Sequence, residues 1–210
     1  SARITTIETQ MTNETLANFG VRLAISQAID REALVSAVFD NVHAPAYYWV
    51  VKGLTGHQGN EPFEPVIGYN PEQAPTTLAD AGFPNGEGIP TLTWTARDNE
   101  QKRNEFAFIQ KALKDTLNIN IEARFVDGDT RSALFNAEDF QLFPGGWQLD
   151  YPDIENPLVG LFNTDGGNNK YNCSDPDIDA AFEEAANATS EEARIEAYEK
   201  VETNIIEKLC

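Results

Sequence analysis

Residues 145–153 read GGWQLDYPD and carry the side chains best suited to chemistry in this chain. Two glycines after a buried run let the backbone turn sharply where a strand ends. Ligands of open α/β sheets bind at such carboxyl ends. Trp147 offers a flat apolar wall and Asp150 a negative charge, which together suit an ammonium group. A surface loop whose tryptophan covers the core fits the composition equally well.

A second possible chemistry uses paired carboxylates. Asp150, Asp153 and Glu155 could act as the acid–base pair of a glycosidase. A chain with 34 acidic residues produces such clusters by chance, and nothing beside this one supplies a nucleophile. A carboxylate-pair hydrolase is therefore a distant alternative, and we predict that the chain is not an enzyme.

Metal and cofactor chemistry has little support in the sequence. His43 and His57 are the two histidines, and the Pro/Gly-rich chain between them follows no ligand-spacing rule. Residues 165–179 are rich in Asp, Asn and Gly but lack the regular period of a calcium loop. We therefore expect no cofactor and no metal site.

The charge balance excludes several classes of partner. The chain has 210 residues with 15 Lys and Arg against 34 Asp and Glu, a net charge of −19. Nucleic-acid binding needs clustered cations, and anionic lipid repels such a chain. No apolar stretch approaches the length of a membrane span. Residues 175–208 alone carry 11 acidic and 3 basic residues, which predicts a solvated face or, as the minor option, a docking face for a basic partner.

Hydrophobic periodicity predicts alternating strands and helices, and hence an α/β fold. The predicted strands cover residues 91–96, 119–125 and 140–143. The predicted helices share apolar stripes at helical spacing and cover residues 18–29, 30–39, 70–82, 98–117, 130–137, 175–187 and 189–209. Asp30, Asp98, Asp175 and a Thr189–Glu192 capping box are their expected amino-terminal caps. Residues 41–70 are predicted to form a long surface excursion.

The two cysteines flank the last two predicted helices. An antiparallel helix pair would bring Cys173 and Cys210 to the same end, given a rise of about 1.5 Å per residue. We therefore favour a structural disulfide over two free thiols, with a stabilisation of about 4 kcal/mol from loop closure.

Four segments, in order along the chain, resemble the extracellular solute-binding proteins of family 5, the oligopeptide- and dipeptide-binding receptors of ABC importers. The first is residues 21–34, VRLAISQAIDREAL. The second joins residues 69–74, YNPEQA, to residues 78–83, LADAGF. The third is the GWxxDYPD of residues 146–153, and the fourth places Arg194 and Tyr198 in the closing helices.

The resemblance implies a periplasmic-binding-protein-like lobe, with a mixed sheet flanked by helices. Members of the family have two lobes that close on a ligand, and residues 1–210 resemble the carboxyl-side lobe only. The expectation is thus a single ligand-binding lobe, a piece of a larger receptor, in which residues 175–210 form a closing helix pair.

The resemblance also assigns the site. In peptide-binding members the Asp three residues after the Trp pairs with the α-amino group of the peptide, a role that falls here on Asp150. Trp147 becomes the cleft wall, with Gly146 and Tyr151 beside it. Some members carry an Arg just before the Gly-Trp pair that meets a peptide carboxylate, but Pro144 stands at that position here.

The expected function is therefore that of a substrate-binding component of an ABC importer, with no reaction catalysed. The implied partners are a small peptide and the ABC permease subunits. We expect a periplasmic or extracellular monomer that meets the membrane only through the permease or through a lipid anchor outside this fragment. The family also contains receptors for oligosaccharides and nickel chelates, which remain alternatives.

Overall fold

A computed structural model describes residues 3–210 of the chain. Within that range, four strands form a mixed sheet in the order β1–β4–β2–β3. They are β1 (Arg3–Thr9), β2 (Leu92–Arg97), β3 (Ile121–Val126) and β4 (Leu142–Gln148). Strand β2 runs parallel to both β3 and β4, and its register places Trp94 opposite Ala123 on one side and Leu142 on the other. The expected α/β sheet is confirmed.

Helices flank this sheet, and most begin at a residue with a short polar side chain. Those in residues 3–210 are α1 (Glu14–Ala17), α2 (Phe19–Ala28), α3 (Arg31–Val38), α4 (Glu64–Ile67), α5 (Ala74–Asp80), α6 (Glu100–Leu117), α7 (Gly128–Asn136), α8 (Val159–Phe162), α9 (Pro176–Ala186) and α10 (Glu191–Lys208). Asp30 and Asp175 cap α3 and α9 as expected, and each accepts backbone N–H hydrogen bonds in the first turn.

The described residues form two compact units, whose boundaries fall inside β1 and β4. One comprises residues 7–45 and 68–145, and we call it the Trp94 unit. The other comprises residues 3–6, 46–67 and 146–210, and we call it the Trp147 unit. The candidate ligand residues and the closing helices all belong to the Trp147 unit. Whether the 210 residues act as a single lobe stays a proposal.

The Trp94 unit has a core built from β2 and the helices around it. Leu92, Trp94 and Ala96 alternate along β2, and all three are fully buried, as the sequence predicts. Helix α6 contributes Ile109 and Leu113 from one stripe. Burying such side chains is the main stabilising contribution to the unit, at about 25 cal/mol per Å² of apolar surface.

The Trp147 unit rests on the pairing of α9 with α10. Ile178 and Phe182 of α9 are buried, as are Val201 and Ile205 of α10. The disulfide between residues 173 and 210 is confirmed, with a Cα–Cα distance of 5.4 Å. It joins the chain just before α9 to the end of α10 and so fixes the helix pair at one end.

Two predicted caps were wrong by one residue. Asn99, not Asp98, caps α6, because the Asp98 carboxylate is engaged by Arg103 at 2.7 and 2.8 Å. Ser190, not Thr189, caps α10, and its hydroxyl accepts the amide three residues further on at 3.2 Å. In each case two capping residues stand side by side, and the sequence alone does not rank them.

Helix α5 starts later than the sequence indicates. Asn70 and Pro71 form a turn before it, and Pro75 occupies its first turn, where a missing N–H breaks no helical hydrogen bond. Gly82 follows the helix with a φ of +98°, in agreement with the predicted end. The predicted excursion at residues 41–70 contains the short helix α4. Strand β1 was not predicted from the sequence.

Candidate functional site

The two glycines of the candidate site lie inside β4 and not in a turn after it. The predicted strand end at residue 143 was therefore wrong, since β4 continues to Gln148. Gly146 has a φ of +129°, and a Cβ there would meet the Ile4 carbonyl oxygen and the Thr5 Cα of β1. Glycine is required because two strand backbones approach each other closely. The close approach lets the strand run on and present Trp147 at its end.

Trp147 and Asp150 are tied together by one buried amide. The Trp147 Nε1–H donates to Asn156 Oδ1 at 2.8 Å, and the Asp150 backbone N–H donates to the same oxygen at 3.3 Å. Asn156 is only 7% exposed. The Trp147 side chain and the Asp150 backbone are therefore held by the same Asn156 oxygen.

Tyr151 belongs to the same cluster and leads to a second set of charges. Its hydroxyl donates to Glu155 Oε1 at 3.0 Å, while its ring is 48% exposed. Arg194 of α10 then reaches Asp153 Oδ1 at 2.6 Å and Glu155 Oε2 at 3.2 Å. Tyr198, one turn further along α10, donates to Glu155 Oε2 at 3.3 Å. One guanidinium thus holds two of the three carboxylates in this segment.

The pKa shifts follow these contacts. Burial would raise the pKa of Asp153, but the hydrogen bonds from Arg194 and from the Glu155 backbone N–H, together with the Arg194 charge, outweigh it and lower the pKa. The hydrogen bond to Asp153 raises the pKa of Arg194 further above its ordinary value. Burial, followed by the Glu155 charge, raises the pKa of Tyr198 to about 12. At neutral pH Asp153 and Arg194 are therefore both charged, and Tyr198 is neutral.

Asp150 differs from its two acidic neighbours. Its side chain is exposed and makes no hydrogen bond or ion pair to any residue among 3–210. Asp153 and Glu155 are both engaged by Arg194, so the three carboxylates do not form the acid–base arrangement that a hydrolase would need. Asp150 is therefore the one carboxylate of these three that has no ion pair among the described residues, and it lies beside an aromatic wall.

The two histidines take separate structural roles. His57 Nδ1 donates to the Val50 carbonyl at 2.6 Å, and its ring packs edge-on against Tyr48. His43 packs edge-on against Phe39. Within residues 3–210, no group of three His, Cys, Asp or Glu side chains is placed to hold a metal ion.

Sequence reasoning missed two charged residues that hold backbone groups. Glu202 of α10 is fully buried and accepts the backbone N–H groups of Trp49 and Val50, both at 2.7 Å. In the Trp94 unit, Arg131 donates to the Pro144 carbonyl oxygen at 2.9 Å. Neither contact leaves a local sequence signal, since the partners lie 13 or more residues apart in the chain.

The Trp94 unit has a polar depression of about 320 Å³ on its surface. None of the candidate ligand residues lines it.

Among the described residues, no helix combines the length and the apolar character that a membrane crossing requires.

Comparison with known proteins decides the family. The sequence profile described as "Bacterial extracellular solute-binding proteins, family 5 Middle" matches residues 1–169. The chain belongs to this family. The family-5 proteins that match it are solute-binding proteins and not enzymes.

Individual relatives agree with this assignment. Heme-binding protein A of Haemophilus influenzae is 27% identical over 195 residues, which cover 88% of this chain and 34% of that protein. Oligopeptide-binding protein OppA of Bacillus subtilis is 21% identical over 202 residues, 92% of this chain and 36% of that protein. This family-5 chain therefore spans about a third of the length of these curated relatives.

A solved structure shows the same fold. The periplasmic oligopeptide-binding protein OppAIV of Borrelia burgdorferi superposes with a TM-score of 0.86 at 26% identity. The match covers 98% of this family-5 chain and 40% of that one. The expected periplasmic-binding-protein-like fold is confirmed.

Proposed function

We propose that these residues form the carboxyl-side ligand-binding lobe of a two-lobe receptor that delivers oligopeptides or dipeptides to an ABC importer. The observation that carries the proposal is the exposed Asp150 carboxylate, which is held beside Trp147 while its two acidic neighbours share an ion pair with Arg194. A receptor that binds without reaction needs such a fixed charge and no nucleophile.

The α-amino group of a peptide is the ligand feature that this carboxylate suits. An ammonium–carboxylate pair is a charge-assisted hydrogen bond, and it strengthens when a closing cleft removes water. Trp147 then covers the first residue of the peptide with an apolar wall. Backbone hydrogen bonds along the rest of the peptide would give affinity that tolerates many sequences.

The names of two relatives favour peptide over other ligands. OppA of Bacillus subtilis and OppAIV of Borrelia burgdorferi are both named as oligopeptide-binding proteins. Heme-binding protein A is named for a different ligand, so the substrate class is the part of the proposal most open to experiment. The proposed partners are a small peptide and the permease, with the receptor acting as a periplasmic or extracellular monomer.

Ligand identification on the full-length receptor tests the proposal. The protein is purified without denaturation, the bound fraction is released with acid, and the released compounds are identified by mass spectrometry. A mixture of short peptides with free amino termini is the expected result. An oligosaccharide, a nickel chelate or heme in stoichiometric amount would overturn the peptide assignment. Conversion of the ligand by the receptor would overturn the assignment as a receptor without enzymatic activity.

A further inference from the structure

We propose that Asn156 is the positioning residue of the ammonium site, and that Arg194 on α10 holds the following part of the same loop through Glu155. The inference rests on the proposed function, because it explains how the Asp150 site is held in place.

The orientation of the Asn156 amide follows from its partners. An indole N–H and a backbone N–H can only donate, and Trp147 and Asp150 direct one of each at the same atom. That atom must therefore be the carbonyl oxygen Oδ1, and the Nδ2 group must face the other way. Because Asn156 is buried, its Oδ1 is not free to exchange these two donors for bulk water.

Tyr151, next to Asp150 in the chain, is held by Glu155. Its hydroxyl donates to Glu155 Oε1 at 3.0 Å. This hydrogen bond raises the pKa of Tyr151, so the hydroxyl keeps the proton that it donates.

Glu155 is fixed in turn by α10. Its Oε2 accepts from Arg194 Nη2 at 3.2 Å and from the Tyr198 hydroxyl at 3.3 Å. Arg194 and the two tyrosine hydroxyls all donate to the Glu155 carboxylate, which fixes its position. Helix α10 therefore anchors the loop that carries Asp150 at Glu155, next to Asn156 in the chain, although no residue of α10 contacts the Asp150 side chain by hydrogen bond or ion pair among the described residues.

The test compares two variants of nearly equal volume in the full-length receptor. Asn156→Leu fills the space but removes the acceptor, whereas Asn156→Asp keeps an acceptor for both N–H groups. One neutral hydrogen bond contributes about 2- to 12-fold to an equilibrium, and Asn156→Leu removes two. We expect peptide affinity to fall by about 5- to 100-fold in Asn156→Leu and by less in Asn156→Asp.

A second measurement needs no ligand and separates positioning from folding. Hydrogen exchange of the Trp147 indole N–H is followed by NMR, with the peak assigned from its absence in Trp147→Phe. The indole peaks of Trp49 and Trp94 serve as internal controls. In Asn156→Leu we expect faster exchange at Trp147 alone, with protection restored in Asn156→Asp.

The outcomes separate the two proposals. Faster Trp147 exchange with weaker binding, and with a smaller preference for free over N-acetylated peptide, supports the positioning role. Unchanged Trp147 exchange in Asn156→Leu overturns the role of the Trp147–Asn156 hydrogen bond. Faster exchange with unchanged affinity overturns the positioning role and leaves Asn156 a structural residue only. If the wild-type receptor binds no peptide, the proposed function itself fails, and the ammonium-positioning role fails with it.

Discussion

Replacing Glu202 with alanine should destabilise the Trp147 unit by about 2 kcal/mol. The buried carboxylate accepts the Trp49 and Val50 backbone N–H groups at 2.7 Å each and the Gln58 side chain at 3.1 Å. A buried donor that loses its acceptor costs about 1–3 kcal/mol. Val50 is fully buried and carries that cost in full, whereas Trp49 is half-buried and can be partly hydrated. Relief of the carboxylate's own desolvation offsets part of the loss.

Thermal unfolding followed by circular dichroism measures the effect. A loss of this size corresponds to a drop in Tm of about 4–8 °C for a chain of this length. Glu196→Ala is the matched control, since Glu196 is an exposed glutamate on the same helix. Amide exchange at Val50 should accelerate in Glu202→Ala and stay unchanged in the control. Equal Tm values for the two variants would refute the reasoning.

The pH dependence provides an independent check on Glu202. Burial raises the pKa of this carboxyl, although the hydrogen bonds from Val50, Trp49 and Gln58 oppose the rise. A raised folded-state pKa means that the stabilising contribution is present below the unfolded-state pKa and is lost as the pH rises through the folded-state pKa. Wild type should therefore lose stability relative to Glu202→Gln between acidic and neutral pH. A constant difference across that range would contradict the raised pKa.

Three further outcomes are expected. Reduction of the Cys173–Cys210 disulfide should lower the unfolding free energy by about 4 kcal/mol, because the bond closes a loop with a sequence separation of 37. Urea titrations with and without reductant measure this, and a double Cys→Ser variant should not respond to reductant. Gly146→Ala should prevent normal folding, because the residue has a positive φ and the added Cβ would clash with the β1 backbone. A circular dichroism melt of this variant that matches the wild-type melt would argue against that. Arg194→Met should lower the unfolding free energy by about 1 kcal/mol at pH 7, since both partner carboxylates are about a third exposed. The loss should become smaller as the pH falls. Because the pKa of Asp153 is lowered, its contribution to stability is present above the unfolded-state pKa and is lost on acidification. A stability loss in Arg194→Met that does not change with pH would count against the ion pair.

Local chemistry in the sequence was enough for much of the fold. The alternation of Leu92, Trp94 and Ala96 predicts a buried strand, and all three residues are buried. The helix-pair geometry predicts the disulfide. The caps of α6 and α10 were missed by one residue because neighbouring side chains have nearly equal capping ability. β1 was missed because its exposed and half-buried positions do not form a clear alternation.

The sequence was enough to predict which residues form the candidate site, but not how they contact one another. Trp147 and Asp150 stand out because an aromatic wall and a carboxylate follow a glycine pair. That Asp150 alone of the three carboxylates has no ion pair depends on Arg194, which lies 41 residues after Asp153 in the chain. The role of Gly146 was predicted as a turn because sequence cannot show that β1 passes close to it. Contacts between distant segments set the electrostatics of the site, and they leave no local pattern.

The most direct test of the central claim is peptide binding by the full-length receptor with and without the Asp150 charge. Calorimetry compares a free peptide with its N-acetylated form on wild type and on Asp150→Asn, which keeps the side-chain shape. Breaking one side of a desolvated ion pair costs about 2–5 kcal/mol, or about 30- to 5000-fold in affinity. We predict that wild type strongly prefers the free peptide and that the variant loses most of that preference while keeping its Tm. Equal affinity of wild type for the free and acetylated peptides would contradict the assignment of Asp150 as the ammonium receptor.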